Sequence, residues 1–300
     1  MKYESIQAIG GFFTQDDPAA DSTEIGAVPP RFGLLDASEN RWTTLQAQLR
    51  QLNVSAGTAI YKLFIFGRHG QGFHNVAEDK YGTVAWDDYW SKLDGDGDLV
   101  WGPDPELTTI GKEQAVAVNE LWKTERNAGI PLPESLYCSP MTRAIQTQQI
   151  TFASVGSPPR ALIMENCREE YGEHTCDKRH PKTHIQQRFP QFDIEDGFSE
   201  EDELWEPDMR ETADHAAERA RLVLEHVFAQ DRDSLFISVT AHSGIINGFL
   251  RALGRPRYVL PTGGDRFLLV RPVFCLWLAG VLPIVIKATD DLVLSSTTLE

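Results

Sequence analysis

The chain has 300 residues, 41% hydrophobic and 24% charged, the balance of an ordinary globular protein of one large domain or two small ones. That balance excludes disorder on a large scale, and a formal net charge of −16 excludes binding of nucleic acid or an anionic membrane through the bulk field. The same field would repel a phosphorylated substrate at long range, so any phosphate site must be a local pocket drawing on a few of the 28 Lys and Arg residues.

Residues 1–55 read as an N-terminal extension packing on the core. Met1 to Ser5 carries no apolar run of the kind a signal peptide needs. Asp16-Asp17-Pro18 and Pro29-Pro30 are loop signals, and Trp42, Leu45, Leu49 and Leu52 share one face of a short helix. Tyr61 to Phe66 is an apolar run that reads as a buried strand of a parallel sheet. Thr108 caps a helix running to Trp122. Ser135 to Cys138 is a second strand, followed after Ser139-Pro140 by a helix from Met141 to Phe152, and Arg160 to Met164 is a third strand. Residues 165–207 are polar, without periodicity, and read as an excursion over the sheet edge. A helix from Thr212 to Phe228, a strand from Leu235 to Thr240 and a helix from Gly244 to Leu253 follow. Strands alternating with helices predict an α/β fold, a three-layer sandwich with a largely parallel central sheet flanked by helices. Cys138, Cys167, Cys176 and Cys275 form no CxxC pair, so reduced thiols and a cytoplasmic location, the nucleus included, are expected.

In such sheets, sites gather at the carboxyl ends of the strands. There the chain places Arg68-His69-Gly70 with Asn75 shortly after, Ser139-Pro140-Met141-Thr142-Arg143, Arg168-Glu169-Glu170, and Ala241-His242-Ser243-Gly244. Two histidines, arginines and a carboxylate converging on one crevice are what phosphoryl transfer through a histidine needs. One neutral imidazole attacks phosphorus, guanidinium forks and a second histidine hold the oxygens, and a carboxylic acid protonates the leaving alkoxide. The guanidinium charge makes a metal unnecessary.

Arg68-His69-Gly70 with Asn75 resembles the signature of the histidine phosphatase superfamily, in its phosphoglycerate-mutase-like branch. Leu107 to Ala115, Ser139 to Thr147 and Thr240 to Gly244 are similar to its later motifs. Trp86-Asp87-Asp88-Tyr89-Trp90 and Glu173 to Arg179 resemble fungal members. The resemblance implies a histidine phosphatase domain over 56–300, with His69 as the phosphorylated nucleophile. It implies that Arg68, Arg143 and His242 bind the phosphoryl oxygens, that Asn75 and the Ser243 N–H add hydrogen bonds, and that Glu169 donates the proton, with Glu170 as the substitute. His242 belongs with His69 and Glu169 in the catalytic set. No cofactor is implied. Gln71-Gly72, where the mutases carry Glu followed by Ser or Thr, and Ser243-Gly244, where many members carry Gly-Gly, count against a mutase more than against a phosphatase.

The expected partner is therefore a small phosphorylated metabolite, with no nucleic acid and no membrane. A mutase is the alternative enzyme, and a non-catalytic interaction subunit the alternative of another class. His174 or Arg179 is expected to touch substrate from a loop over the site. His174, Cys176, His180 and His184 could also be read as zinc ligands, but Pro181 breaks the helix their spacing requires. Asp94 to Asp98 opens like a calcium loop but lacks the later glycine and glutamate. Phe267 to Ile286 has the length of a membrane span, which Arg271, Pro272 and Pro283 oppose. Residues 265–280 look inserted ahead of a strand at 281–287, as a translated retained intron would be, and are expected outside the sheet.

Overall fold

The computed structural model describes residues 3–55, 57, 59–259 and 280–290. Its organising strand is β2 (Ala59–Arg68), which lies inside the sheet, and β1 (Tyr3–Ile9) is an edge. Among the described residues the sheet has seven strands in the order β1-β7-β2-β6-β3-β4-β5, the others being β3 (Ser135–Cys138), β4 (Leu162–Ile163), β5 (Asp193–Ile194), β6 (Phe236–Ala241) and β7 (Val281–Asp290). From β2 through β6, β3 and β4 to β5 every pairing is parallel, while β7 runs antiparallel to both β2 and β1. The sheet is thus mostly parallel, as alternating strands and helices demand.

Side chains along β2 alternate between the two faces. Leu63 and Ile65 join Phe32, Trp42, Leu49, Trp122 and Ile145 on one side. Phe64 and Phe66 join Leu224, Phe228, Ile245 and Phe249 on the other. An interior strand buried on both faces has no polar side, hence the unbroken apolar run; each such side chain contributes about 1.5–3 kcal/mol. The helices in chain order are α1 (Ser22–Ile25), α2 (Arg41–Ser55), α3 (Phe73–Tyr81), α4 (Thr83–Asp88), α5 (Thr109–Asn127), α6 (Thr142–Thr151), α7 (Lys182–Arg188), α8 (Ala213–Gln230) and α9 (Ser243–Ala252). α2, α5 and α6 cover the first face, and α8 and α9 the second.

Two expectations need revision. The first 55 residues contribute β1, whose buried Tyr3 and Ile6 pack in the core of the second face, so this stretch is part of the sheet. The polar stretch 165–207 does more than pass over the edge, because it contains α7 and returns as β5, parallel to β4. The suspected insertion at 265–280 lies, except for Gly280, outside the described residues, as does Cys275. Gly280 itself is buried and its carbonyl accepts the Arg68 N–H at 2.8 Å, leading into β7. No helix among the described residues is long and apolar enough to cross a membrane.

Candidate active site

β2 ends at Arg68, but the His69 N–H still donates to the Ala241 carbonyl of β6 at 3.0 Å, so the parallel ladder fixes where His69 leaves the sheet. The chain then turns at Gly70 against the first turn of α5. A Cβ at Gly70 would lie 2.2 Å from the Gly111 carbonyl oxygen, and one at Gly111 2.1 Å from that of Gln71, so neither position has room for a side chain. Thr108 holds this contact. Its hydroxyl accepts the Gly111 N–H to cap α5 and donates to Gln71 Oε1 at 2.7 Å, while Gln114 Oε1 accepts the Gln71 N–H at 2.8 Å. On the other side Thr147 Oγ1 accepts the Gly70 N–H at 3.1 Å and donates to the Arg143 carbonyl at 2.8 Å. The segments 107–115 and 139–147 therefore clamp the turn that carries His69.

His69 is buried, and its Nδ1 lies 2.6 Å from the Gly70 carbonyl oxygen. A carbonyl only accepts, so Nδ1 carries the proton and Nε2 the lone pair. Burial, then the charges of Arg143 and Arg68, hold this imidazole well below its ordinary pKa, hence neutral. The His242 ring lies 4.8 Å away and that of His74 5.5 Å away. Both are likewise pushed well down by burial first and Arg143 next. Ser139 Oγ accepts the Met141 N–H at 3.2 Å and lies 2.7 Å from His242 Nε2, and the tautomer that suits an anion in the crevice has the hydroxyl donate to Nε2. The His242 proton then sits on Nδ1, a fully buried atom without a hydrogen-bond partner among the described residues. A buried donor in that state costs about 1–3 kcal/mol, and an anionic oxygen in the crevice would satisfy it.

Arg143, in the first turn of α6, is buried, donating to the Cys176 carbonyl at 2.8 Å and to Asp177 Oδ1 at 2.7 Å. Its Nε has no partner among the described residues. Asp177 also accepts from Arg210 at 2.8 Å. Burial alone would raise Asp177, but Arg210 and Arg143 outweigh it and hold the carboxyl below its ordinary range. Arg68 is buried, which brings it down to about 10, still charged at neutral pH. Asn75 Oδ1 accepts the Gly72 N–H at 2.9 Å at the start of α3, while its Nδ2 makes no hydrogen bond to a described residue.

The two glutamates are distinguished by their surroundings. Glu169 sits on the N-terminus of α9, its oxygens accepting the Gly244 and Ile245 N–H groups at 3.1 Å each, where the helix dipole favours negative charge. Glu170 is raised to about 7, by burial first and by the charge of Glu169 next. Both press on Gly244. A Cβ there would meet Glu169 Oε1 at 2.3 Å and Glu170 Cδ at 2.9 Å, so a side chain at this position would displace both carboxyls.

His174 borders the site, half-buried against Trp86 with Asp87 at 3.7 Å, and lies near enough to His74 to depress it further. Arg179 is a correction. Its Nε donates to Glu165 and its two amino groups to the His180, Ser199, Glu200 and Glu201 carbonyls, so the guanidinium anchors the excursion and retains no N–H for substrate. The buried Arg168 gives both amino groups to Glu165, Asp202 and the Asp177 carbonyl, and its Nε has no partner among the described residues. The zinc reading does not assemble either. His180 and His184 stack on each other at 4.1 Å. The group whose ligand atoms lie within 4.8 Å of one another is His174, Cys176 and Asp177, but both Asp177 oxygens are held by guanidiniums and burial drives the Cys176 thiol well up. Sequence reasoning missed His74 and Asp177. The sole signal for His74 was a second histidine five positions after the first, and a buried aspartate inside a polar stretch gives none.

The family model of the histidine phosphatase superfamily, branch 1, matches residues 64–259. The chain belongs to the histidine phosphatase superfamily. It is similar to a probable phosphoglycerate mutase of Arthroderma benhamiae, 39% identical over 284 residues that cover 89% of this chain and 84% of that protein. It is also similar to phosphomutase-like protein 3 of Candida albicans, 36% identical over 264 residues that cover 88% of this chain and 78% of that protein. Among solved structures, the ecdysone phosphate phosphatase from Bombix mori in complex with tungstate matches at 16% identity and a TM-score of 0.45, covering 74% of this chain and 88% of that one. As a superfamily member the chain is an enzyme, and its four motif segments surround one crevice.

Proposed function

We propose that this histidine phosphatase superfamily member is a metal-independent phosphomonoesterase that hydrolyses a small phosphorylated metabolite through a phosphohistidine on His69. The observation that carries the reading is the His69 imidazole itself: buried, neutral, its Nδ1 proton fixed on Gly70, and flanked by two guanidiniums and the unpartnered Nδ1 of His242. His69 Nε2 attacks phosphorus in line as the bond to the leaving oxygen breaks. Arg68, Arg143, Asn75 and His242 hold the oxygens, so guanidinium charge does what a metal would otherwise do. The Glu169–Glu170 pair gives a proton to the alkoxide, the proton residing on Glu170, which burial and the charge of Glu169 raise to about 7. The resulting carboxylate then takes a proton from water, the water oxygen attacks phosphorus, the N–P bond breaks, and inorganic phosphate leaves.

A second reading, return of the phosphoryl group to another hydroxyl, is favoured by the name of the Arthroderma benhamiae relative. Against it, Gln71 is committed to Thr108 and so faces α5. Incubation with 3-phosphoglycerate and a panel of phosphomonoesters separates the two. The phosphatase releases free phosphate from at least one ester and forms no 2-phosphoglycerate. In His69→Ala the release falls by roughly three orders of magnitude or more. Wild-type rates in that variant would sink both enzymatic readings.

A further inference from the structure

Next to the crevice, with Glu169 on its wall, lies a cavity of about 700 Å³ that follows one stripe of α9. Ser243 and Gly244 line it at the catalytic end, Asn247 and Gly248 one turn on, and Arg251 a turn beyond, with Arg257 after the helix. At 1.5 Å per residue, Ser243 and Arg251 are about 12 Å apart along the axis. The floor is small-sided and fixed, because Asn247 donates to the Ser243 carbonyl at 2.8 Å and accepts the Tyr258 N–H at 2.9 Å.

Glu78, Asp87, Glu169 and Glu170 also line the cavity, but the stretch at and after the end of α9 is basic. No Asp or Glu occurs between Ser243 and Val259, while Arg251, Arg255 and Arg257 do. Arg255 is occupied by Asp16 and the Gln15 carbonyl. Arg251 is exposed and pairs with the exposed Asp214. Arg257 is exposed and makes no hydrogen bond or ion pair with any described residue. A cation near a helix C-terminus is ordinary dipole compensation. That explains Arg251 alone and leaves Arg257 on the cavity wall unaccounted for.

We propose that this end is a second anion subsite, and that the substrate is a phosphomonoester carrying another anionic group, phosphate or carboxylate, held about two helical turns, on the order of 12 Å along α9, beyond the catalytic end. The inference rests on the phosphatase reading and narrows it, since a three-carbon phosphoglycerate is too short to span both ends. Terminal diol bisphosphates from propanediol to dodecanediol, each paired with the alkyl monophosphate of equal length, test it by phosphate release. The bisphosphate-to-monophosphate ratio of kcat/KM should peak where the phosphates span the cavity, at about tenfold. In Arg251→Ala/Arg257→Ala the ratio should collapse at every length towards about two, the statistical factor for two equivalent phosphates. A ratio that is flat with length, or that survives the double substitution, overturns the subsite. Calorimetry of the same pairs on His69→Ala reads the subsite without turnover. Length-selective binding there beside a wild type that hydrolyses none of the esters would overturn the phosphatase reading and leave the subsite standing.

Discussion

At the scale of single residues, this site depends on which groups stay neutral. His69, His74 and His242 are buried beside guanidiniums and do not take up protons near neutrality, so the ionisation that shapes the rate there is that of Glu170. Its pKa of about 7 comes from burial and from Glu169. Below that pH the side chain is neutral. Above it, a second carboxylate faces a dianionic ester at the mouth of the crevice, and kcat/KM falls. Glu170→Gln removes this limb. The ratio of variant to wild-type kcat/KM should rise by about fivefold between about pH 6 and pH 8, while the ionisation of the ester itself cancels in the ratio. A ratio that does not change with pH would refute this role. His69 and His242 were legible in the sequence because each stands in a contiguous motif at the end of an apolar strand. Asp177 was not, because its role exists only once α6 brings Arg143 against the excursion and Arg210 arrives from the other side.

At the scale of elements, the active-site turn is held by the approach of two backbones that no side chain can enter. Gly111→Ala would place its Cβ 2.1 Å from the Gln71 carbonyl oxygen. The obstacle is backbone, not the tip of a flexible side chain, so α5 or the turn after His69 must move. The expected cost is about 1–3 kcal/mol in urea unfolding, with kcat reduced more than KM is raised, because the displaced turn carries His69, the proposed nucleophile. Ile110→Ala, at the neighbouring position with 42% exposure, should change neither quantity by a comparable amount. Equal effects of the two substitutions would show that the close approach is unimportant. The elements that were legible share strong physical signals: β2 and β6 are buried on both faces, and Thr108 and Thr212 cap α5 and α8. β1 escaped because an edge strand burying little besides Tyr3 and Ile6 lacks a full pattern. α3 escaped because its start is capped around Gly72 and its sequence is mostly polar. β4 falls inside the strand expected at 160–164, whereas β5, two residues long, is too short to carry any periodicity.

At the scale of the whole molecule, the site couples catalysis to acid stability through opposing proton balances. The three buried histidines have folded pKa values depressed below their unfolded ones. The unfolded chain therefore binds up to three more protons at these positions below about pH 6.5, and their share of stability is lost as the pH falls. Asp104, raised to about 6 by burial, and Glu170, raised to about 7, act in the opposite sense. Between their unfolded values and these, the folded chain holds protons that the unfolded chain has released, so acidification stabilises it at these two sites. Near pH 5.5 the balances at these five positions largely offset. Asp104→Asn/Glu170→Gln removes the offset. Whatever its stability at neutral pH, this variant should lose stability on acidification more steeply than the wild type, by up to about 2 kcal/mol per pH unit, measured as the difference in slope of unfolding free energy against pH between about 5 and 6. A slope equal to that of the wild type would mean that these carboxyls do not hold their protons in the folded state.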